Sequence, residues 1–213
     1  MEYEDLTPSA QRVALSTYGE PPDDWQSDVY DHAREIARER GFHIEEINFS
    51  GFHSQGDGAS WTGATDPLEF LEYHVQPDVP HYTELVMLTE LVRNLHPDKW
   101  LSFHRRSFYY SHSGTMQLED SDITFEFDDD EPIVMSSGIL AGADAREIID
   151  AIGATHLWDY VEEWVLREAK DYADTIYKQL EEEYDNYTSE EYFKELIYIN
   201  GWRFDSAGKL IQE

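Results

Sequence analysis

Cysteine is absent from the 213-residue chain, which excludes disulfides, thiolate metal sites and cysteine nucleophiles. Basic residues are scarce. Fifteen Lys and Arg stand against 46 Asp and Glu, a formal net charge of −31, and only five of the fifteen are lysine. Such a chain repels nucleic acid and anionic membranes, so direct binding to either is not expected. Long apolar runs are missing too. Those at Ile133–Met135 and Gly138–Ala141 are only a few residues long, far from the ~20 that span a bilayer. The opening Met-Glu-Tyr-Glu-Asp lacks the basic segment and apolar stretch of a secretory signal. A cytoplasmic protein is the simplest expectation. There is no internal repeat, and no linker long enough to divide the chain.

What is present is core material. Hydrophobic residues make up 40% of the chain and aromatics 14%, which argues for a folded protein despite the charge. The charge itself has two readings. A surface of carboxylates can stand in for a phosphate backbone in the site of a nucleic-acid-binding protein. An acidic, lysine-poor surface also suits a salt-saturated cytoplasm, where a Debye length of ~3 Å at molar salt screens self-repulsion.

Local signals place the elements. Thr7 and Pro8 open a helix that ends before Gly19. A second helix is expected over about 24–40, where Trp25, Val29, His32, Ile36 and Ala37 recur at helical spacing. Phe42, Ile44, Ile47, Phe49 and Phe52 suggest a strand with a bulge, and Ala59–Thr62 a strand returning from it. Asp66-Pro67 opens a short helix, and another is expected over about 81–95. Residues 100–112 read as an aromatic-rich strand, with 115–118 and 123–127 as antiparallel successors. Asp128–Glu131 reads as an exposed acidic turn. A long helix is expected over about 157–184, with Trp158, Val161, Val165, Ala169, Tyr172, Ile176 and Leu180 on one stripe. Thr188-Ser189-Glu190-Glu191 is a capping box for one more helix, followed by a terminal hairpin. The expected architecture is a single α+β domain over residues 1–213. A small antiparallel sheet packs against several helices, with a C-terminal helix and hairpin extension from about 157.

Three groups of residues are candidates for function. The loop Ser54-Gln55-Gly56-Asp57-Gly58 follows a strand, yet no lysine and no long helix follow it, so neither the P-loop nor the dinucleotide fingerprint is matched. A tight turn with Asp57 bonding its own backbone is the simpler expectation. The segment bearing His104, Arg105, Arg106 and His112 is the one basic, aromatic stretch. On a straight strand the two histidines lie ~26 Å apart, too far to share an ion. The arginines suit a phosphate or carboxylate, or internal pairing with the abundant carboxylates. Third, Glu162, Glu163, Asp171, Asp174, Glu181, Glu182 and Asp185 array carboxylates along the long helix, whose turns rise ~5.4 Å. No catalytic residue, metal ligand set or cofactor motif is identified, and a non-enzymatic protein is expected.

Four stretches resemble a family of phage and prophage accessory proteins labelled antitoxins of toxin–antitoxin stability systems. They are Tyr3–Thr7 with Ala10; Val29–Ile36 with Ile47–Trp61, containing Ser50-Gly51-Phe52 and Ser54-Gln55-Gly56-Asp57-Gly58-Ala59; Tyr110–Met116; and Ile176–Asp185 with Leu196–Ile211. His53 stands where that family carries a bulky aromatic. The resemblance implies a virus-encoded accessory protein that acts in the host cytoplasm by binding another protein, without cofactor. Joined to the charge, it suggests an inhibitor of a host nucleic-acid-binding defence protein or toxin that presents carboxylates in place of phosphates. The alternative is a structural or assembly component of a virus of a salt-loving host.

Overall fold

The computed structural model describes residues 1–107, 109–119, 121, 123–126 and 132–212, so Phe108 and the acidic turn Asp128–Glu131 lie outside the described residues. The fold is α+β. Helix caps sit where the sequence signals them. Thr7 accepts from the Ala10 amide at the start of α1 (Pro8–Tyr18). Asp66 accepts from the Leu68 and Glu69 amides at the start of α3 (Pro67–His74), and Ser189 from the Tyr192 amide at the start of α7 (Glu190–Asn200). Each cap satisfies an amide that the first helical turn leaves without a partner. The remaining helices are α2 (Ser27–Glu39), α4 (Tyr82–Leu95), α5 (Ala145–Ile152) and α6 (Ala154–Tyr187).

The strands are β1 (Phe42–Phe49), β2 (Ala59–Thr65), β3 (Leu101–Arg105), β4 (Met116–Leu118), β5 (Arg203–Phe204) and β6 (Leu210–Gln212). Strands β1 to β4 form an antiparallel sheet in chain order, with the expected bulge in β1 between Ile44 and Glu46. Two expectations fail. The strand over 100–112 stops at Arg105: the pairing ends with the Arg106 amide on the Thr115 carbonyl, and the chain returns to β4 through a 3-10 turn at Ser113–Thr115. Of the expected strand over 123–127, residues 123–126 form no strand, and Phe127 lies outside the described residues. Ile123 and Phe125 are buried, Phe125 against His96 and Trp158 at 5.5 and 6.1 Å. Alternation there reports one-sided packing and not pairing with a neighbour.

The chain divides into two compact units. Residues 32–177 form the larger, built on the four-stranded sheet. Its core face carries Phe42, Trp61 and Phe103, whose rings meet at 4.7–5.9 Å. Helix α6 packs here: the buried Trp61 indole donates to the Ala169 carbonyl at 3.2 Å, and Phe70 meets Trp164 edge to face at 5.4 Å. Tyr172 on α6 donates to the Ala33 carbonyl at 2.7 Å, and burial pushes its phenol up to about 12.

Residues 1–31 and 178–213 form the second unit, around Tyr3, Leu6, Ala10, Ala14, Phe193, Ile197 and Phe204. Tyr3 meets Phe193 edge to face at 5.4 Å, and the Met1 amine donates to the Phe204 carbonyl at 2.7 Å, anchoring the small β5–β6 hairpin. Among the described residues, no helix is long and apolar enough to cross a membrane.

Candidate functional site

Two of the three candidate groups meet in the larger unit. The loop between β1 and β2 closes on itself. Asp57 Oδ2 accepts from the amides of His53 and Ser54 at 2.8 and 2.5 Å, while the Asp57 amide donates to the Ser54 carbonyl. Its carboxylate therefore faces its own turn, as the simpler sequence reading expects, leaving Gln55 exposed at the tip. The chain after β3 lies against this loop. A methyl group added to Gly56 would meet the Tyr110 ring at 2.1 Å, and one added to Gly58 would meet His112 Cβ at 2.6 Å. Gly56 also has a φ of +91°, a conformation that L side chains rarely adopt. The two glycines admit the Tyr110–His112 segment, interlocking two motifs that are some fifty residues apart in sequence.

That arrangement corrects the reading of the basic segment. His104 lies on β3 and His112 caps the Ser113–Thr115 turn beyond the end of that strand, so the straight-strand separation does not apply and the described residues from 104 to 112 share no single strand face. Arg105 donates to Ser111 Oγ at 3.3 Å, and neither Arg105 nor Arg106 forms an ion pair among the described residues. Their expected pairing with carboxylates is not what the fold provides. No group of three or more His, Asp or Glu able to hold a metal occurs among the described residues.

The sheet face opposite the core contributes polar groups that sequence reading missed. Asn48 stands directly opposite Ser60, Glu46 opposite Thr62, Ser102 opposite Ala64 and His104 opposite Gln117. Side chains alternate along a strand, so Asn48, Ser60, Thr62, His104 and Gln117 share this face. Asn48 Nδ2, Ser60 Oγ and His104 Nδ1 are buried there without a hydrogen-bond partner among the described residues. The period-two pattern at 42–49 carried part of this signal, but not the register that sets Asn48 beside Ser60.

The third group lies on α6, which runs through both units. In the larger unit, Glu162 is half-buried and accepts from the Trp158 indole at 2.7 Å, so it is not part of an outer array. Glu163, Asp171 and Asp174 are exposed and without ion pairs among the described residues, but Arg167 and Lys170 interrupt the row between Glu163 and Asp171. In the smaller unit, Glu181, Glu182 and Asp185 are likewise exposed and without ion pairs.

A family model described as Domain of unknown function (DUF8835) matches residues 25–190. The chain belongs to the DUF8835 family. No curated protein and no solved structure matches it. The DUF8835 match takes in the whole of the larger unit, including the interlocked loop and the polar sheet face.

Proposed function

We propose that the protein is a non-enzymatic, virus-encoded accessory protein that binds a basic host protein in the host cytoplasm and inhibits it. The partner is a protein that itself engages nucleic acid, such as a defence nuclease or toxin, and carboxylates take the place of phosphates in its site. The observation that supports this reading is the state of the α6 carboxylates. Six of the seven candidates are exposed and without an internal cation among the described residues, and so are available to a partner's arginines and lysines. The resemblance to phage accessory proteins supports the viral origin.

A second reading is favoured by the distribution of charge. The smaller unit carries 17 acidic against 5 basic residues and the larger 29 against 10. Acidity is a property of both units, as adaptation to salt requires, and this suits a particle component of a virus of a salt-loving host.

The test is an affinity capture from host lysate with the wild-type chain and with Glu181→Lys/Glu182→Lys/Asp185→Lys and Asp171→Lys/Asp174→Lys variants. The inhibitor reading expects a nucleic-acid-binding protein that is recovered by wild type, released by added salt and lost with at least one charge-reversed variant. Recovery of no such protein, together with the chain's presence in purified particles by mass spectrometry, would establish the second reading instead.

A further inference from the structure

Whether the carboxylates serve a partner or a salt-rich solvent, they crowd the exposed surface, so the surface that lacks them is informative. Forty-six of 213 residues are acidic, yet residues 47–65 contain only Asp57 and residues 99–118 contain none. The fold places these two segments side by side. Strand β2 pairs with β3, Gly56 abuts Tyr110 and Gly58 abuts His112. Burial explains the absence of acids from the strand interiors. It does not explain the exposed positions of the same segments, nine in all among the described residues, of which none is acidic. The single carboxylate, Asp57, is turned onto the amides of His53 and Ser54.

What occupies this surface is donor-rich and aromatic. Arg106 is exposed and without an ion pair among the described residues, Gln55 is exposed in the β1–β2 loop, and Tyr109 and Tyr110 are 91% and 49% exposed. The adjoining sheet face holds Asn48, Ser60 and His104, with the exposed Glu46 at its border. Arginine and amide donors complement oxyanions, and an exposed tyrosine ring offers a stacking platform for a planar base. The charge of −31 also sets the size of the ligand. Repulsion grows with each phosphate the ligand carries, and with few cations here to offset it, a polyanionic strand is disfavoured where a single phosphate group is not.

We propose that the acid-free surface formed by the β1–β2 loop and the segment after β3 binds a nucleoside monophosphate, its phosphate held by Arg106 and the loop and its base stacked on the exposed tyrosines.

The experiment is amide-resolved NMR titration of the full chain with four probes: AMP, adenosine, inorganic phosphate and a single-stranded oligonucleotide. AMP is expected to shift amides of residues 53–58 and 104–114, and to bind more tightly than adenosine or phosphate alone. Arg106→Gln should weaken AMP binding by about tenfold or more, as loss of a charge-assisted contact does, and Tyr109→Ala should weaken AMP while leaving inorganic phosphate unchanged. Both side chains are exposed, and unchanged amide spectra of the free variants will show that they remain folded. The proposal is overturned if AMP shifts no amide in these segments, if Arg106→Gln binds AMP like wild type, or if the oligonucleotide binds more tightly than AMP.

Discussion

Replacing Gly56 by alanine tests whether the loop and the segment after β3 are interlocked as the structure places them. Two costs add. Alanine at φ +91° is strained by roughly 1–2 kcal/mol. Its methyl group would also lie 2.1 Å from the Tyr110 ring, and displacing a packed ring costs roughly 1–3 kcal/mol. Gly142 separates the two. It has nearly the same conformation, φ +87°, but nothing within 4 Å of an added methyl group, so Gly142→Ala reports backbone strain alone. Gly56→Ala is expected to lose roughly 2–5 kcal/mol and Gly142→Ala roughly 1–2 kcal/mol, read by denaturant titration of tryptophan fluorescence with each variant under one salt condition. In a Tyr110→Ala background the penalty at position 56 should shrink toward that at 142, a coupling of about 1–2 kcal/mol. Equal losses at 56 and 142, or a penalty at 56 that persists without the Tyr110 ring, would show that the two motifs do not touch.

Two further predictions concern the larger unit. Burial holds the His74 imidazole below its usual range, against the opposing pull of the Glu168 carboxylate and a hydrogen bond to the Arg40 backbone; the ring stacks on Phe70 at 4.2 Å. Above the ordinary histidine range both folded and unfolded states are neutral and His74 contributes no pH dependence. As pH falls below about 6.5 the unfolded chain gains a proton that the folded state refuses, so stability declines. A His74→Gln variant should have a shallower acid-side slope in thermal melts than wild type, and identical slopes would remove His74 as the cause. On α4, Asn94 Oδ1 accepts from the amides and hydroxyls of Ser136 and Ser137, while Glu90 Oε2 accepts from the Ile139 amide at 3.1 Å. Asn94→Ala should destabilise the loop by about 1–2 kcal/mol and speed hydrogen exchange at 136 and 137 ahead of 139. Glu90→Gln should reverse that order, and loss of protection at all three amides in both variants would mean the two anchors are not separate.

Helix starts were legible because their causes are local. Thr7-Pro8, Asp66-Pro67 and Ser189 each carry the side chain that satisfies an amide within three residues, and each begins a helix. The ends of strands were less so, since a strand is defined by its neighbour. Nothing within 100–112 shows that pairing with β2 and β4 ceases near Arg105; that depends on where the chain returns as β4 at Met116. Helix α5 escaped notice although Asp144 caps it through the Arg146 amide. Its eight residues, bounded by Gly142 and Gly153, give little more than two turns in which periodicity can show. The candidate loop was legible as a turn and as a motif. What it packs against was not, since the approach of Gly56 to Tyr110 is a tertiary fact with no trace in local spacing.

The family match and the charge map converge on one unit. DUF8835 covers residues 25–190, whereas the Tyr3–Ala14 and Phe193–Phe204 core cluster of the smaller unit lies outside that range. The sheet unit is therefore what the family model describes as a whole, and that cluster is built from sequence beyond it. A solvent that favours acidity acts on every exposed position alike, which fits similar acidic excess in both units. It gives no reason for one surface of the sheet unit to be spared. A local requirement must oppose it there, and carboxylate repulsion of an anionic ligand is such a requirement. The total of −31 does not by itself point to a site. The gap in that charge, at the β1–β2 loop and Tyr110–His112, marks where a ligand is to be sought.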